Sequence, residues 1–158
     1  MLDIISHIKQ LLDEHEAQRA QLDLLERSIE AIIPKRMAEY TSSDIKKIKA
    51  DIRNLDDALY YLKQGSLDHW QRDKIALHDL IDEPMIQHID EWHDRIALQL
   101  DRAIMQVNLA NSEKWNTEEI VSFMGNIRMS IRTFHQLVLE HIHEEDVILQ
   151  QALASVIA

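Results

Sequence analysis

Residues 139–149 read LEHIHEEDVIL, two histidines and four carboxylates set into an apolar helical stretch. On a helix, positions three and four apart share a face. A stripe through Val138, His141, Glu145, Ile148 and Ala152 therefore turns His141 and Glu145 inward and leaves His143 and Glu144 outside. Tracing the same alternation through the chain gives three further stripes. The first holds Ile8, Leu11, His15, Leu22, Leu25, Ile29 and Ile32. The second holds Ile48, Ile52, Leu55, Leu59, Leu62, Ser66, His69, Asp73, Ala76 and Leu80. The third holds Ile86, Ile89, His93, Ile96, Leu100 and Val107, and the fourth begins at Ile120, Phe123, Ile127, Ile131 and Phe134. Each stripe carries one histidine, and two of them carry a carboxylate four residues later.

These stripes predict four long helices. The first spans about Asp3 to Ala38 with a bend near Pro34, and the second, capped by Thr41, Ser42 or Ser43, runs to about Ile81 with Gly65 as a weak point. Asp82, Glu83 and Pro84 form a helix start, and that third helix fades between Asn108 and Ser112. Asn116 and Glu119 read as a capping box for the fourth, which continues to the C-terminus. Two glycines and two prolines in 158 residues leave little punctuation for strands. The fold expected is all-α, an antiparallel up-and-down four-helix bundle forming one domain over residues 1–158.

Composition narrows function mainly by exclusion. A formal net charge of -11 argues against nucleic acid or an anionic membrane as partner, since both select basic patches. Without cysteine there is no disulfide, thiolate metal site or thiol nucleophile. The opening MLDIISHIKQLLDEHE lacks a basic segment followed by an apolar run, so no signal peptide is expected, and no stretch is apolar for the length of a membrane span. The expected location is cytoplasmic.

The inward polar residues carry the chemistry. His69/Asp73 and His141/Glu145 each present a nitrogen and an oxygen from adjacent turns to one point. A buried ionised carboxylate is costly alone, and a metal cation is one of the few partners that offsets this. Imidazole and carboxylate without sulfur suit iron or manganese. His15 and His93, one per remaining helix, complete a candidate set of His15, His69, Asp73, His93, His141 and Glu145. An internal echo supports pairing: His15/Leu22 repeats as His93/Leu100, and HWQRDKIALHDLI aligns with HIHEEDVILQQAL, placing His69 on His141 and Asp73 on Glu145. Rough heights put His15, His69, Asp73 and His93 near one level, with His141 about two turns away. His88 is the alternative to His93 if the third helix is rotated. Leu11, Leu62, Ile89, Ile96, Val138 and Ile148 would wall the pocket. Tyr60, Tyr61, Trp70 and Trp92 read as packing residues that could also line it, and Met124 and Met129 as gap fillers.

Glu14–His15, HWQRDKIALHDL, EWHDRI and HIHEEDVILQQA, in that order and one per helix, resemble the hemerythrin-like (cation-binding) family of four-helix bundles over essentially the whole chain. The resemblance implies a non-haem di-iron centre with an oxo or hydroxo bridge. His15 and His69 would hold one iron, His93 and His141 the other, and Asp73 and Glu145 would bridge them. It further implies that a small ligand, O2, NO or peroxide, is bound or sensed. Asp73 stands where the family's HxxxE motif has Glu, and Glu145 and Asp146 both offer the helix-four carboxylate. Ile89 and Ala97 flank His93, so the further histidine of the oxygen carriers is absent. In that respect the chain is similar to the four-histidine sites of repair-of-iron-centres proteins. Iron-centre repair, peroxide reduction, or a metal-free helical interaction module are the alternatives, and oligomeric state is left open.

Overall fold

The computed structural model describes residues 2–32, 40–78, 80–112 and 116–157. Four helices fill them: α1 (Leu2–Ala31), α2 (Ser42–Leu77), α3 (Glu83–Ser112) and α4 (Thr117–Ile157). Their starts follow side-chain chemistry. Thr41 caps α2: its hydroxyl accepts from the Asp44 amide at 3.2 Å, and Asp44 accepts from the Thr41 amide at 2.8 Å. The expected box at α4 forms likewise, Asn116 Oδ1 accepting from the Glu119 amide at 2.9 Å and Glu119 accepting from the Asn116 amide at 2.8 Å. Asp82 accepts from the Met85 amide at 3.1 Å, which leaves Pro84 in the first turn of α3, where a missing N–H costs nothing.

Each helix packs on its neighbours in the chain, and α1 closes the ring against α4. Short connections between consecutive helices make this an antiparallel four-helix bundle. The predicted bend near Pro34 and helix end at Ala38 lie outside the described residues, and α1 itself stops at Ala31. Gly65 does not interrupt α2. That helix ends at Leu77 rather than Ile81, and Leu77 takes the buried place that Ala76 and Leu80 were expected to fill.

In α4 the buried face departs slightly from the expected stripe. Met124, not Phe123, and Leu149, not Ile148, are the deeply buried residues. A straight helix has 3.6 residues per turn, so over 41 residues a stripe drawn in steps of three and four drifts off the inward face. Met124 fills the core as expected, whereas Met129 is 69% exposed and fills nothing.

The core is divided. A large apolar cluster runs from Leu22, Leu62, Ile96 and Ile142 toward one end of the bundle. A smaller one, Ile8, Leu11, Leu77, Ile89 and Leu149, closes the other. Between them in every helix lie the buried polar residues: His15; His69 and Asp73; His93; His141 and Glu145. Burying such a layer opposes folding unless its groups are satisfied.

Both glycines sit inside helices with ordinary backbone, and a Cβ added at Gly65 or Gly125 meets nothing within 4 Å. Gly65→Ala is therefore expected to stabilise the fold by about 0.8–1 kcal/mol through helix propensity alone. Urea denaturation checks this, and an unchanged or lower midpoint would contradict it.

Candidate metal centre

All six inward residues meet in one layer. His15 Nε2 lies 3.1 Å from His69 Nε2 and 3.1 Å from Glu145 Oε2, and His69 Nε2 lies 3.0 Å from Asp73 Oδ2. On the far side of Glu145, His141 Nε2 stands 3.3 Å from Oε2 and His93 Nε2 3.6 Å from Oε1. Two groups capable of holding a metal ion result: His15, His69, Asp73 and Glu145, and His93, His141 and Glu145. Within each group the candidate ligand atoms lie within 4.8 Å of one another. Glu145 belongs to both groups, Asp73 only to the first.

The arrangement is compatible with a metal site, and its polar atoms do not close into a hydrogen-bonded network among the described residues. Nine buried side-chain polar atoms among the described residues make no hydrogen bond. Seven of these are here: both oxygens of Asp73, both of Glu145, both nitrogens of His141, and Nε2 of His93. They lie close to one another, the histidine nitrogens 3.0–3.6 Å from the carboxylate oxygens, without hydrogen-bond geometry.

Charged groups outside the layer orient the first two histidines. His15 Nδ1 donates to Asp146 Oδ1 at 2.7 Å, and Arg19 donates to the same carboxylate. His69 Nδ1 donates to Glu14 Oε2 at 2.8 Å; Glu14 also accepts from Arg72 at 3.0 Å and, through Oε1, from Gln10 at 3.0 Å. With Nδ1 committed as donor, each neutral imidazole turns its Nε2 lone pair inward. Two such lone pairs 3.1 Å apart repel unless a cation, proton or metal ion, lies among them. A carboxylate behind a ligating histidine also raises its basicity.

The second half is built differently. His93 stacks on Trp70 (centroids 4.8 Å apart, 17° between planes), and His141 on Trp92 (5.9 Å, 23°). The His93 and His141 rings meet edge to face at 4.7 Å. Among the described residues His141 Nδ1 has no partner, so no outer carboxylate holds this ring as Glu14 and Asp146 hold those of His69 and His15.

Titration follows this geometry. Burial pushes His15 and His69 down, but Glu145 and Asp146 beside the one, and Asp73 and Glu14 beside the other, outweigh it and raise both above 6.5. Burial pushes His141 down to about 4, with His93 adding to the effect. Burial and the charge of Glu145 raise Asp73, whereas for Glu145 the surrounding histidines overcome burial and hold its carboxyl low. Two carboxylates sharing one site separate in this way. Burial also opposes ionisation of Glu14, yet hydrogen bonds from His69, Arg72 and Gln10 bring it to about 2.

In the metal-free protein His15 and His69 hold protons that a metal must displace, while His141 is neutral down to about 4 and offers no such competition. Affinity is therefore expected to be full well above pH 6.5 and to fall as pH drops through the raised histidine range, by up to ~10-fold per pH unit for each displaced proton. Calorimetry in buffers of differing ionisation enthalpy measures the protons released, and no release at pH 6.5 would contradict this.

His88 is half-exposed beside Glu144, 3.1 Å away, and takes no part in the layer. Leu11, Leu62, Ile89, Ile96 and Val138 are buried on either side of it, and Ile148 is half-buried. Tyr60 and Tyr61 are 59% and 76% exposed and line no part of the layer. His141 is level with His93. α4 has about five more residues before His141 than α3 has after His93, and it extends past the end of α3 by roughly 7.5 Å. The orienting roles of Glu14 and Asp146 and the stacking of both tryptophans were not read from the sequence. The only available signal was adjacency: Glu14 precedes His15, Asp146 follows Glu145, and Trp70 and Trp92 flank His69 and His93. No helix among the described residues is long and apolar enough to cross a membrane. None of the protein-family models, curated proteins or solved structures compared with this chain matches it.

Proposed function

We propose that this chain is a non-haem di-iron protein of the hemerythrin-like kind that binds or senses a small ligand, O2, NO or peroxide. One observation carries the reading: Glu145 places one carboxylate oxygen toward His93 and the other toward His15 and His141, so a single buried side chain serves both metal-binding groups. His15, His69 and Asp73 would complete one half and His93 and His141 the other. The four motifs, one per helix, carry the resemblance to that family, and the donor set is hard oxygen and imidazole nitrogen, which suits iron and, next to it, manganese. Iron bound there would supply exchangeable coordination positions and a reversible change of oxidation state.

This chain's residues set the conditions for that chemistry. Glu14 and Asp146 fix the tautomers of His69 and His15. The two apolar clusters exclude water above and below the layer. The second half offers three protein ligands against four in the first, so it has more room for an external ligand.

The test is metal content of the purified protein by mass spectrometry, beside a His69→Ala/His141→Ala variant. About two irons per chain, lost in the variant, are expected. No metal in either protein after anaerobic reconstitution with ferrous iron would reduce the layer to a buried hydrogen-bonded network and favour an interaction module. With iron present, stopped-flow mixing of the reduced protein with O2, NO and peroxide separates ligand binding from peroxide reduction or iron handling.

A further inference from the structure

The layer is closed on nearly every side, and the exception is His93. Its side chain is 9% exposed, whereas those of His15, His69, Asp73, His141 and Glu145 are 0–3% exposed. Two hollows between α2 and α3 reach it. One, of about 330 Å³, is lined by Leu67, Trp70, Gln71, Lys74, Asp90 and Asp94 along with His93. The other, about 10 Å³ and so room for roughly one water, is bordered by Lys74, Leu77, Ile89 and Asp90 and again by His93. Lys74 and Asp90, joined at 2.8 Å, form the wall common to both. That pair is exposed and breaks easily.

The larger hollow elsewhere leads nowhere comparable. About 400 Å³ lies between α1 and α2, lined by Ile4, His7, Gln10, Leu11, Arg72, Ile75 and Ala76, with none of the six candidate ligands among them. It ends on Gln10 and Arg72, both tied to Glu14, whose carboxylate covers His69 Nδ1.

We infer that metal ions, and the external ligand of the proposed centre, reach it through the α2–α3 groove at His93, with Trp70 as the residue that limits passage. This rests on the metal reading above. The Trp70 indole lies flat on the His93 ring and half-buried in the groove wall, so it covers the one ligand that faces outward. Asp90 and Asp94 against Lys74 give the mouth a net negative charge, which draws a cation and passes a small neutral ligand. The path ends at the half of the centre with fewer protein ligands, where an incoming ligand has space.

Two measurements on the full chain test this. Cobalt(II) uptake is followed by its visible absorption after stopped-flow mixing. Carbethoxylation of the metal-free protein by diethyl pyrocarbonate is followed by peptide mapping. Gln71→Trp, which fills the groove mouth, is expected to slow cobalt uptake at least 10-fold without changing its final stoichiometry. Trp70→Ala is expected to speed it severalfold. Ile75→Trp, placed in the α1–α2 hollow, leaves both readouts unchanged. Among His15, His69, His93 and His141, His93 is modified first, and Gln71→Trp protects it. Unaltered rates in Gln71→Trp, or slowing by Ile75→Trp, would overturn the route. A native chain that takes up no cobalt yet shows the expected His93 pattern would overturn the metal reading and leave the groove as the way to the layer.

Discussion

Glu145→Ala is expected to abolish metal binding at both groups together, the largest effect of any single substitution in this chain. Each of the other five residues belongs to one group, whereas Glu145 lies 3.1 Å from His15, 3.3 Å from His141 and 3.6 Å from His93. Its removal leaves His93 and His141 with no carboxylate between them, and His15 and His69 with Asp73 alone to offset cationic charge. Substitutions further out should act by degrees. Glu14→Ala and Asp146→Ala each remove the acceptor of one Nδ1–H, and each is expected to lower affinity roughly 10- to 100-fold while binding persists at saturation. His88→Ala, outside the layer and touching it only through the Trp92 indole that donates to it at 3.2 Å, is expected to change affinity less than either. Competition titration against a chromophoric chelator ranks the four proteins, with circular dichroism to verify helix content. Native metal content in Glu145→Ala would refute the shared-carboxylate arrangement.

Removing the metal is expected to destabilise the fold by about 4 kcal/mol relative to the protein with free metal at roughly 1,000 times its dissociation constant. For a chain of this size that corresponds to a fall in Tm of roughly 8–16 °C. The cause is the polar layer, whose orphaned oxygens and nitrogens interrupt an otherwise continuous apolar core. Asp73→Asn isolates one contribution. Burial raises the Asp73 pKa, so the fold favours its protonated form; that contribution is present below the ordinary 3.8 and lost as pH rises through the raised value. Above that raised value an uncharged amide of the same shape should therefore make the metal-free protein more stable, while the gain on adding metal shrinks. Differential scanning calorimetry with and without chelator measures both. Equal melting of native protein in the two conditions would show that the layer is satisfied without a cation.

Helical stripes are local, because a side chain's face depends only on 3.6 residues per turn. His15, His69, Asp73, His93, His141 and Glu145 were thus legible as inward residues, and all are buried. Capping is local too, so Asn116 with Glu119 was readable, and Thr41 was among the residues named for α2. The end of α2 was not, because four more residues of helical pattern follow Leu77 and only packing decides where the chain turns.

What the sequence determined by itself is four amphipathic helices, each with a histidine at the same kind of inward position, and two with a carboxylate one turn on. Relative height, and every contact between residues distant in the chain, was decided by the tertiary structure. His141 looked two turns out of level because counting along a helix cannot register how far α4 runs past α3. The pairing of His15 with Asp146 spans 131 residues and that of His69 with Glu14 spans 55. Such pairings depend on how neighbouring helices are rotated and shifted against one another, and a local pattern carries no information about either. The same holds for the tryptophans on His93 and His141 and for the groove that reaches one of them.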